Sequence, residues 1–268
     1  MSQSPREVND RENVRDAMDR RDFLKTGGIL SAGGACAYGL PLIGALASGA
    51  ADKEERPGRR KWGMVIDLRK CRHDCTACVE ACRQENNVAF FGDDDVENHE
   101  RWDIHLIRKV TIRRKYPIES AEKSVPVLCN HCEDPPCALA CPVAATYQRE
   151  DGIVICDQHR CIGCRYCLIA CPYNARYFYF KEDEDWPNQD RPRSSHGVTH
   201  SCTFCVHRLD RGGTPACVEK CQEIGAGALT VGDLNDPESE ISKLIAENDV
   251  KAIREDLGTK PKVFYIGL

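Results

Sequence analysis

The sequence predicts an α+β fold in which short strands and short helices carry long cysteine-rich loops. Three observations predict it. Eighteen of the 268 residues are cysteine, a density found in disulfide scaffolds, zinc proteins and iron–sulfur proteins rather than in ordinary chains of this length. Sixteen of the eighteen fall into four groups of four. The apolar runs between the groups are short and end in turn residues, as the strands of small sheets do.

Charge narrows the class. The net charge is −5, with no basic excess, so no nucleic-acid partner is expected. Aromatic residues make up 7% of the chain, and inorganic groups are expected to replace part of the core. No glycine-rich nucleotide loop appears, and no C-x-x-C-H haem-attachment pattern is present. After residue 51 no apolar run is long enough to span a bilayer.

Residues 1–50 read as an export signal. Arg20-Arg21-Asp22-Phe23-Leu24-Lys25 follows the twin-arginine pattern. An uncharged run from Gly27 to Ala50 comes next, with seven glycines and Pro41. It closes in Ala47-Ser48-Gly49-Ala50-Ala51, small residues that suit a signal peptidase. The alternative for this run is a single membrane anchor, which its length permits. Cys36 has Gly33, not leucine, three positions before it, and the apolar run continues past it. It reads as a small apolar filler and not as a lipoprotein cysteine. Export in the folded state suits a chain whose thiols must take up a cofactor before they meet an oxidising compartment. The expected location is the periplasm.

The cysteine groups carry the chemistry. Group one is Cys71-x3-Cys75-x2-Cys78-x3-Cys82, and group two is Cys129-x2-Cys132-x4-Cys137-x3-Cys141-Pro142. Group three is Cys161-x2-Cys164-x2-Cys167-x3-Cys171-Pro172, and group four is Cys202-x2-Cys205-x11-Cys217-x3-Cys221. Group three is the bacterial ferredoxin run for a [4Fe–4S] cluster without deviation. Three thiolates on a tight loop place backbone N–H groups toward the anionic sulfurs. The fourth cysteine is expected to open a short helix, with the following proline at its first position, and to ligate the other cluster of a pair.

Group two shares the Cys-x3-Cys-Pro ending. A hairpin joins it to group three: Thr146-Tyr147-Gln148 as strand, Glu150-Asp151-Gly152 as turn, Ile153-Val154-Ile155 as strand. Together they read as a duplicated ferredoxin fold. Groups one and four lack the proline, having Arg83 and Gln222 instead. Taken alone, group four has the composition of a four-thiolate zinc site. Disulfides are disfavoured, because x2 spacings would close small strained loops. Sixteen grouped cysteines make four complete cubane sites. Cys156 is left over and reads as a buried free thiol.

The rest of the chain reads as scaffold. Residues 51–125 lead into and out of group one, 126–181 hold groups two and three, 182–235 return with group four, and 236–268 form a terminal helix and strand. Lys61 to Leu68 and Trp102 to Arg113 read as strands, the second half exposed. Arg176 to Phe180 is a short aromatic strand, read as core with a water-excluding role beside a cluster as the alternative. Residues 181–200 are a polar surface excursion broken by Trp186-Pro187 and Arg191-Pro192. Pro237 to Asn248 reads as a capped helix with Ile241, Leu244 and Ile245 on one face, and Val263 to Ile266 as a terminal strand. His131, inside group two, reads as a neighbour of the cluster and not as its ligand.

In order and spacing, the four groups resemble those of the four-cluster iron–sulfur subunits of polysulfide reductase and dimethyl sulfoxide reductase complexes. The matching residues include Cys129-Asn130-His131-Cys132 with Pro135-Pro136-Cys137, and Cys161-Ile162-Gly163-Cys164 with Ala170-Cys171-Pro172-Tyr173. Pro215-Ala216-Cys217-Val218, Gly232-Asp233-Leu234 and Asp236-Pro237 continue the match. Within the family, Met64 to Cys71, Cys75-Thr76-Ala77-Cys78 and Asn86-Asn87-Val88 most resemble periplasmic subunits of membrane complexes associated with dissimilatory sulfite reduction. The third residue between Cys71 and Cys75 departs from the family's usual x2.

The resemblance implies paired ligation in two ferredoxin-like halves, four [4Fe–4S] clusters in all. Set one would be Cys71, Cys75, Cys78 and Cys221; set two, Cys202, Cys205, Cys217 and Cys82. Set three would be Cys129, Cys132, Cys137 and Cys171; set four, Cys161, Cys164, Cys167 and Cys141. It also implies a hetero-oligomeric membrane complex. In it, electrons would pass between an integral-membrane quinone-interacting subunit and a second redox partner, for which a periplasmic multihaem cytochrome c is a candidate. No substrate site and no catalytic residue of the chain's own are expected. The alternatives are the electron-transfer subunit of a molybdopterin oxidoreductase and, in another class, a zinc-stabilised interaction module.

Overall fold

Lys61 to Leu68 does form a strand, and the chain is organised around it. The structure, a computed structural model, describes residues 59–88, 104–113, 122–180, 186–192 and 195–268. The export signal, Cys36 and the start of the predicted 102–113 strand lie outside these residues.

The first part runs β1 (Trp62–Asp67), α1 (Ala77–Asn86), β2 (Ile107–Ile112), β3 (Lys123–Leu128) and α2 (Pro136–Leu139). Then come β4 (Thr146–Gln148), β5 (Val154–Cys156), α3 (Tyr166–Ala170), β6 (Tyr177–Phe178) and β7 (Thr199–His200). The last part is α4 (Val206–Leu209), α5 (Ala216–Glu223), β8 (Leu229–Asp233), α6 (Glu240–Glu247), β9 (Val250–Ala252) and β10 (Val263–Ile266). The mixed content agrees with an α+β class. Among the described residues, no helix is long and apolar enough to cross a membrane.

β1 is central in a four-stranded sheet of order β8-β1-β10-β9. It runs parallel to β10 and antiparallel to β8. A strand covered on both faces reads as a continuous apolar run, and Met64, Val65 and Ile66 are all buried. Met64 and Ile66 join the main core with Leu229, Val263 and Tyr265. Val65 faces the other way, onto Ile241 of α6, where Ile266, Leu244 and Ile245 complete a second cluster. Gly63 and Gly232 are paired across the two strands. A Cβ on Gly232 would come within 2.7 Å of Ile241 Cγ2, so the missing side chain lets α6 sit close.

Two predicted boundaries move. α6 begins after Ser239, whose hydroxyl accepts from the Ser242 N–H, and not at Pro237. A serine side chain satisfies an orphan helix donor, which a proline ring does not. Within 181–200, Thr199–His200 is a strand paired with β6. Two residues are too few to show a period, and the partner fixes this strand.

The helices also sit differently on the cysteine groups. In all four groups the third cysteine, not the fourth, stands at the helix start: Cys78, Cys137, Cys167 and Cys217 are each the second helical residue. Cys141 and Cys171 come after α2 and α3 have ended. Pro142 and Pro172 therefore follow a helix, where a residue without an N–H stops it. In groups one and four the helix runs on past Cys82 and Cys221, so the next residue has to be one that continues it, Arg83 or Gln222.

Candidate iron–sulfur sites

The thiols gather in fours across the groups. Cys78 lies within electrostatic reach of Cys71, Cys75 and Cys221. Cys202 faces Cys82, Cys217 and Cys205. Cys129, Cys132, Cys137 and Cys171 line one cavity together with Arg176 and Tyr173. Cys141, Cys161, Cys164 and Cys167 line another with Thr199 and Arg165.

Helix geometry explains the crossing between groups. Residues four apart share a helix face. On α1, Cys78 turns to the first set and Cys82 to the second. On α5, Cys217 turns to the second and Cys221 to the first. α1 and α5 pack against each other, so this pair of helices contributes thiols to two sets at once.

Backbone and amide donors point at the sulfurs. Phe204 N–H donates to Cys202 Sγ at 3.4 Å, Ala228 N–H to Cys221 Sγ at 3.3 Å, and Thr146 N–H to Cys141 Sγ at 3.4 Å. Asn86 Nδ2 reaches the sulfurs of both Cys82 and Cys205, at 3.5 and 3.7 Å. Such bonds favour anionic sulfur.

Burial works against ionisation. It pushes the Cys78 and Cys129 thiols up to about 12, and those of Cys202 and Cys217 well above the ordinary thiol value. Cys141 is the exception: burial is outweighed by N–H groups of Thr146, Val143 and Ala145, which bring it below that value. Most of these groups would ionise only against a bound cation, with release of protons.

The donor set fits clusters better than single ions. A zinc ion draws four thiolates to about 2.3 Å from one centre. Among the described residues, no three Cys, His, Asp or Glu groups are placed to hold one metal ion. In sets three and four, four thiols line a common cavity, as a cubane requires, since it places several irons and sulfides between its ligands. In such sites the cluster would supply one-electron redox chemistry, and the protein supplies thiolates, donors and exclusion of water.

The irregular first group is accommodated by a residue that sequence reasoning missed. Lys109 of β2 donates from Nζ to the carbonyls of Arg72, His73 and Cys75, at 2.5, 3.0 and 2.9 Å. The extra residue between Cys71 and Cys75 thus lies in a loop whose carbonyls converge on one ammonium. A lone lysine in a strand gives no sequence signal for this; in the structure it is half-buried.

Other singled-out residues also find places. His131 is fully buried, accepts at Nδ1 from the Val154 N–H at 3.0 Å, and is kept neutral by burial and by the nearby Lys262 and Arg176 charges. Cys156 is a half-buried free thiol near Cys161 and Cys167 that burial pushes up to about 12. Tyr179 of the aromatic segment is core, with its hydroxyl donating to Asn87 O at 3.3 Å.

Buried thiols in fours, on loops that each feed a helix, define an iron–sulfur protein of the ferredoxin type. Residues 121–234 match the family described as 4Fe-4S dicluster domain. Over 94% of its length the chain is 40% identical to the Hdr-like menaquinol oxidoreductase iron-sulfur subunit 1 of Archaeoglobus fulgidus, covering 98% of that protein. It is 38% identical to a subunit of the tetrathionate reductase of Salmonella typhimurium, over 93% of its own length and 88% of that protein. With a component of the polysulfide reductase of Wolinella succinogenes it shares 37% identity, over 77% and 94% of the two sequences. This protein belongs to the same family of iron–sulfur electron-transfer subunits of oxidoreductases.

Proposed function

We propose that the chain relays single electrons through four [4Fe–4S] clusters held by the four sets of thiols. The observation that carries this is the order in which the sets touch. Cys167 of set four lies within reach of Cys137 of set three. Between sets three and two, the His131 and Phe204 rings meet at 3.9 Å, each within a cysteine loop. Cys217 of set two lies within reach of Cys78 of set one. The sequence four, three, two, one is a row, and a row of redox centres is a wire.

The ends of a wire need partners. Relatives from Archaeoglobus fulgidus and Nitratidesulfovibrio vulgaris carry menaquinol oxidoreductase and menaquinone reductase in their names. These support a quinone-interacting membrane subunit at one end. Ile162, Tyr166 and Ile169 are exposed on the loop and helix that carry set four, and Leu139 on α2 just before Cys141, apolar side chains suited to a partner subunit. The other end would serve a periplasmic multihaem cytochrome c. Within the family we assign the chain to the DsrO type, the periplasmic subunit of the DsrMKJOP complex, on the residues around Cys71, Cys78 and Asn87. We place it in the periplasm on the Arg20-Arg21 motif.

Iron, acid-labile sulfide and zinc per chain on anaerobically purified protein test the reading. About sixteen irons and sixteen sulfides are expected; zinc without iron would overturn it. Co-purification of a molybdenum subunit would replace the sulfite-linked assignment with a molybdopterin reductase. Arg20→Lys with Arg21→Lys should hold the protein in the cytoplasm, and normal export of that variant would sink the location.

A further inference from the structure

Arg176 is a cation buried among sulfurs. Its residue is 5% exposed, at the start of the segment leading into β6. Nη1 donates to Thr146 Oγ1 at 3.1 Å. Nε and Nη2 are buried with no oxygen or nitrogen partner, and the Cys137 thiol lies within reach of the guanidinium. The groups that favour its charge are thiols: Cys137 and Cys129 of set three, Cys167 of set four, and Cys156. Arg176 also lines the cavity of set three itself, and Thr146, to which it donates, lines that of set four. It therefore stands between two sites and belongs to both.

A buried guanidinium with two idle donors is costly unless an anion meets it. Thiols are poor partners for it. A cluster in the cavity would present thiolate and sulfide sulfurs, anionic acceptors of the kind that Nε–H and Nη2–H lack. Reduction adds one more negative charge to a site already anionic, and a fixed cation nearby favours that step. Net charge and hydrogen bonds to sulfur are what set cluster potentials. Arginine suits the position because it does not lose its proton when buried.

We propose that Arg176 is the charge that raises the reduction potentials of both clusters of sets three and four, with its free N–H groups donating toward their sulfurs. It is a positioning residue for electron flow: it carries no electron, but it biases where an electron rests along the row. This rests on the cluster reading of those two sets, which metal and sulfide analysis of the unaltered chain tests separately.

The experiment is an EPR-monitored redox titration of the full chain with its clusters, comparing Arg176→Gln and Arg176→Lys with the parent. In Arg176→Gln both potentials of sets three and four should shift to more negative values, and those of sets one and two should hold. Arg176→Lys, which keeps the charge, should leave them near the parent values. An Arg176→Gln chain with full iron and unmoved potentials would overturn the proposal. If the Gln chain takes up no cluster while the Lys chain loads with near-parent potentials, the need for a cation is upheld. If neither chain loads, the residue is a packing element and the proposal falls.

Discussion

His131 and Phe204 meet ring to ring at 3.9 Å, tilted by 43°, each from inside a different cysteine group. His131 lies between Cys129 and Cys132, and Phe204 between Cys202 and Cys205. Both take positive φ, 42° and 50°, an uncommon conformation for bulky residues. Such backbone persists where surrounding structure over-determines it. The two rings are almost wholly buried, and they form part of the seam between the loops of groups two and four. Phe204→Ala should cost about 3–5 kcal/mol of folding stability, measured by denaturant titration of the cluster-loaded protein. A cost of about 0.5 kcal/mol or less, the range of surface substitutions, would show that the seam lies elsewhere.

Lys109 gives a second prediction. Its ammonium gathers three carbonyls of the Cys71–Cys75 loop, and hydrogen bonds from a charged donor contribute about 1.5–3 kcal/mol. Lys109→Met should loosen that loop and speed the loss of set-one iron to a chelator. The other three sets should release iron at the parent rate. Equal release from all four sets would mean that the lysine steadies the whole sheet and not this loop.

How far the site was legible follows from the range of its signals. The β4–β5 hairpin came out within one residue because strand, turn and strand are adjacent in sequence. Group three was legible because its spacing is local. The helix starts were misplaced because proline is favoured both at the first helical position and just beyond a helix end, so Cys171-Pro172 alone does not choose between them. β8 and the parallel pairing of β1 with β10 went unread; those contacts join residues 163 to 199 apart. Arg176 read as the edge of an aromatic strand, since nothing in the segment shows that its side chain turns inward among sulfurs.

Asp67 makes the stability dependent on acid in a defined window. Its carboxylate accepts from Arg69 Nε at 2.9 Å, Nη2 at 2.8 Å and the backbone N–H at 3.0 Å. The Arg69 side chain, against the opposing effect of burial, holds it below the ordinary value of 3.8. A depressed carboxylate stabilises the fold above its unfolded pKa and loses that contribution as pH falls through the folded one. Asp67→Asn should therefore cost about 1.5–3 kcal/mol near neutrality. The difference from the parent should close only below about pH 4. A difference unchanged down to pH 2, by denaturant titration at each pH, would mean that the carboxylate charge is not what the bonds use.

The crossing of the cysteine groups is the sharpest test, because sequence order and spatial order disagree. Cys71 and Cys82 belong to one group in the sequence, yet they face different sets; Cys71 and Cys221 are in different groups and face the same set. Cys71→Ser and Cys221→Ser should each disturb one cluster, and the same one by its EPR signal and potential. The double variant should disturb no further cluster. Cys71→Ser combined with Cys82→Ser should disturb two. The physical reason is that α1 presents residues four apart to two neighbouring groups of thiols, and each group takes its fourth thiol from the helix opposite. If Cys71→Ser and Cys82→Ser instead altered a single shared signal, group one would bind its own cluster, and the exchange of ligands between α1 and α5 would have to be given up.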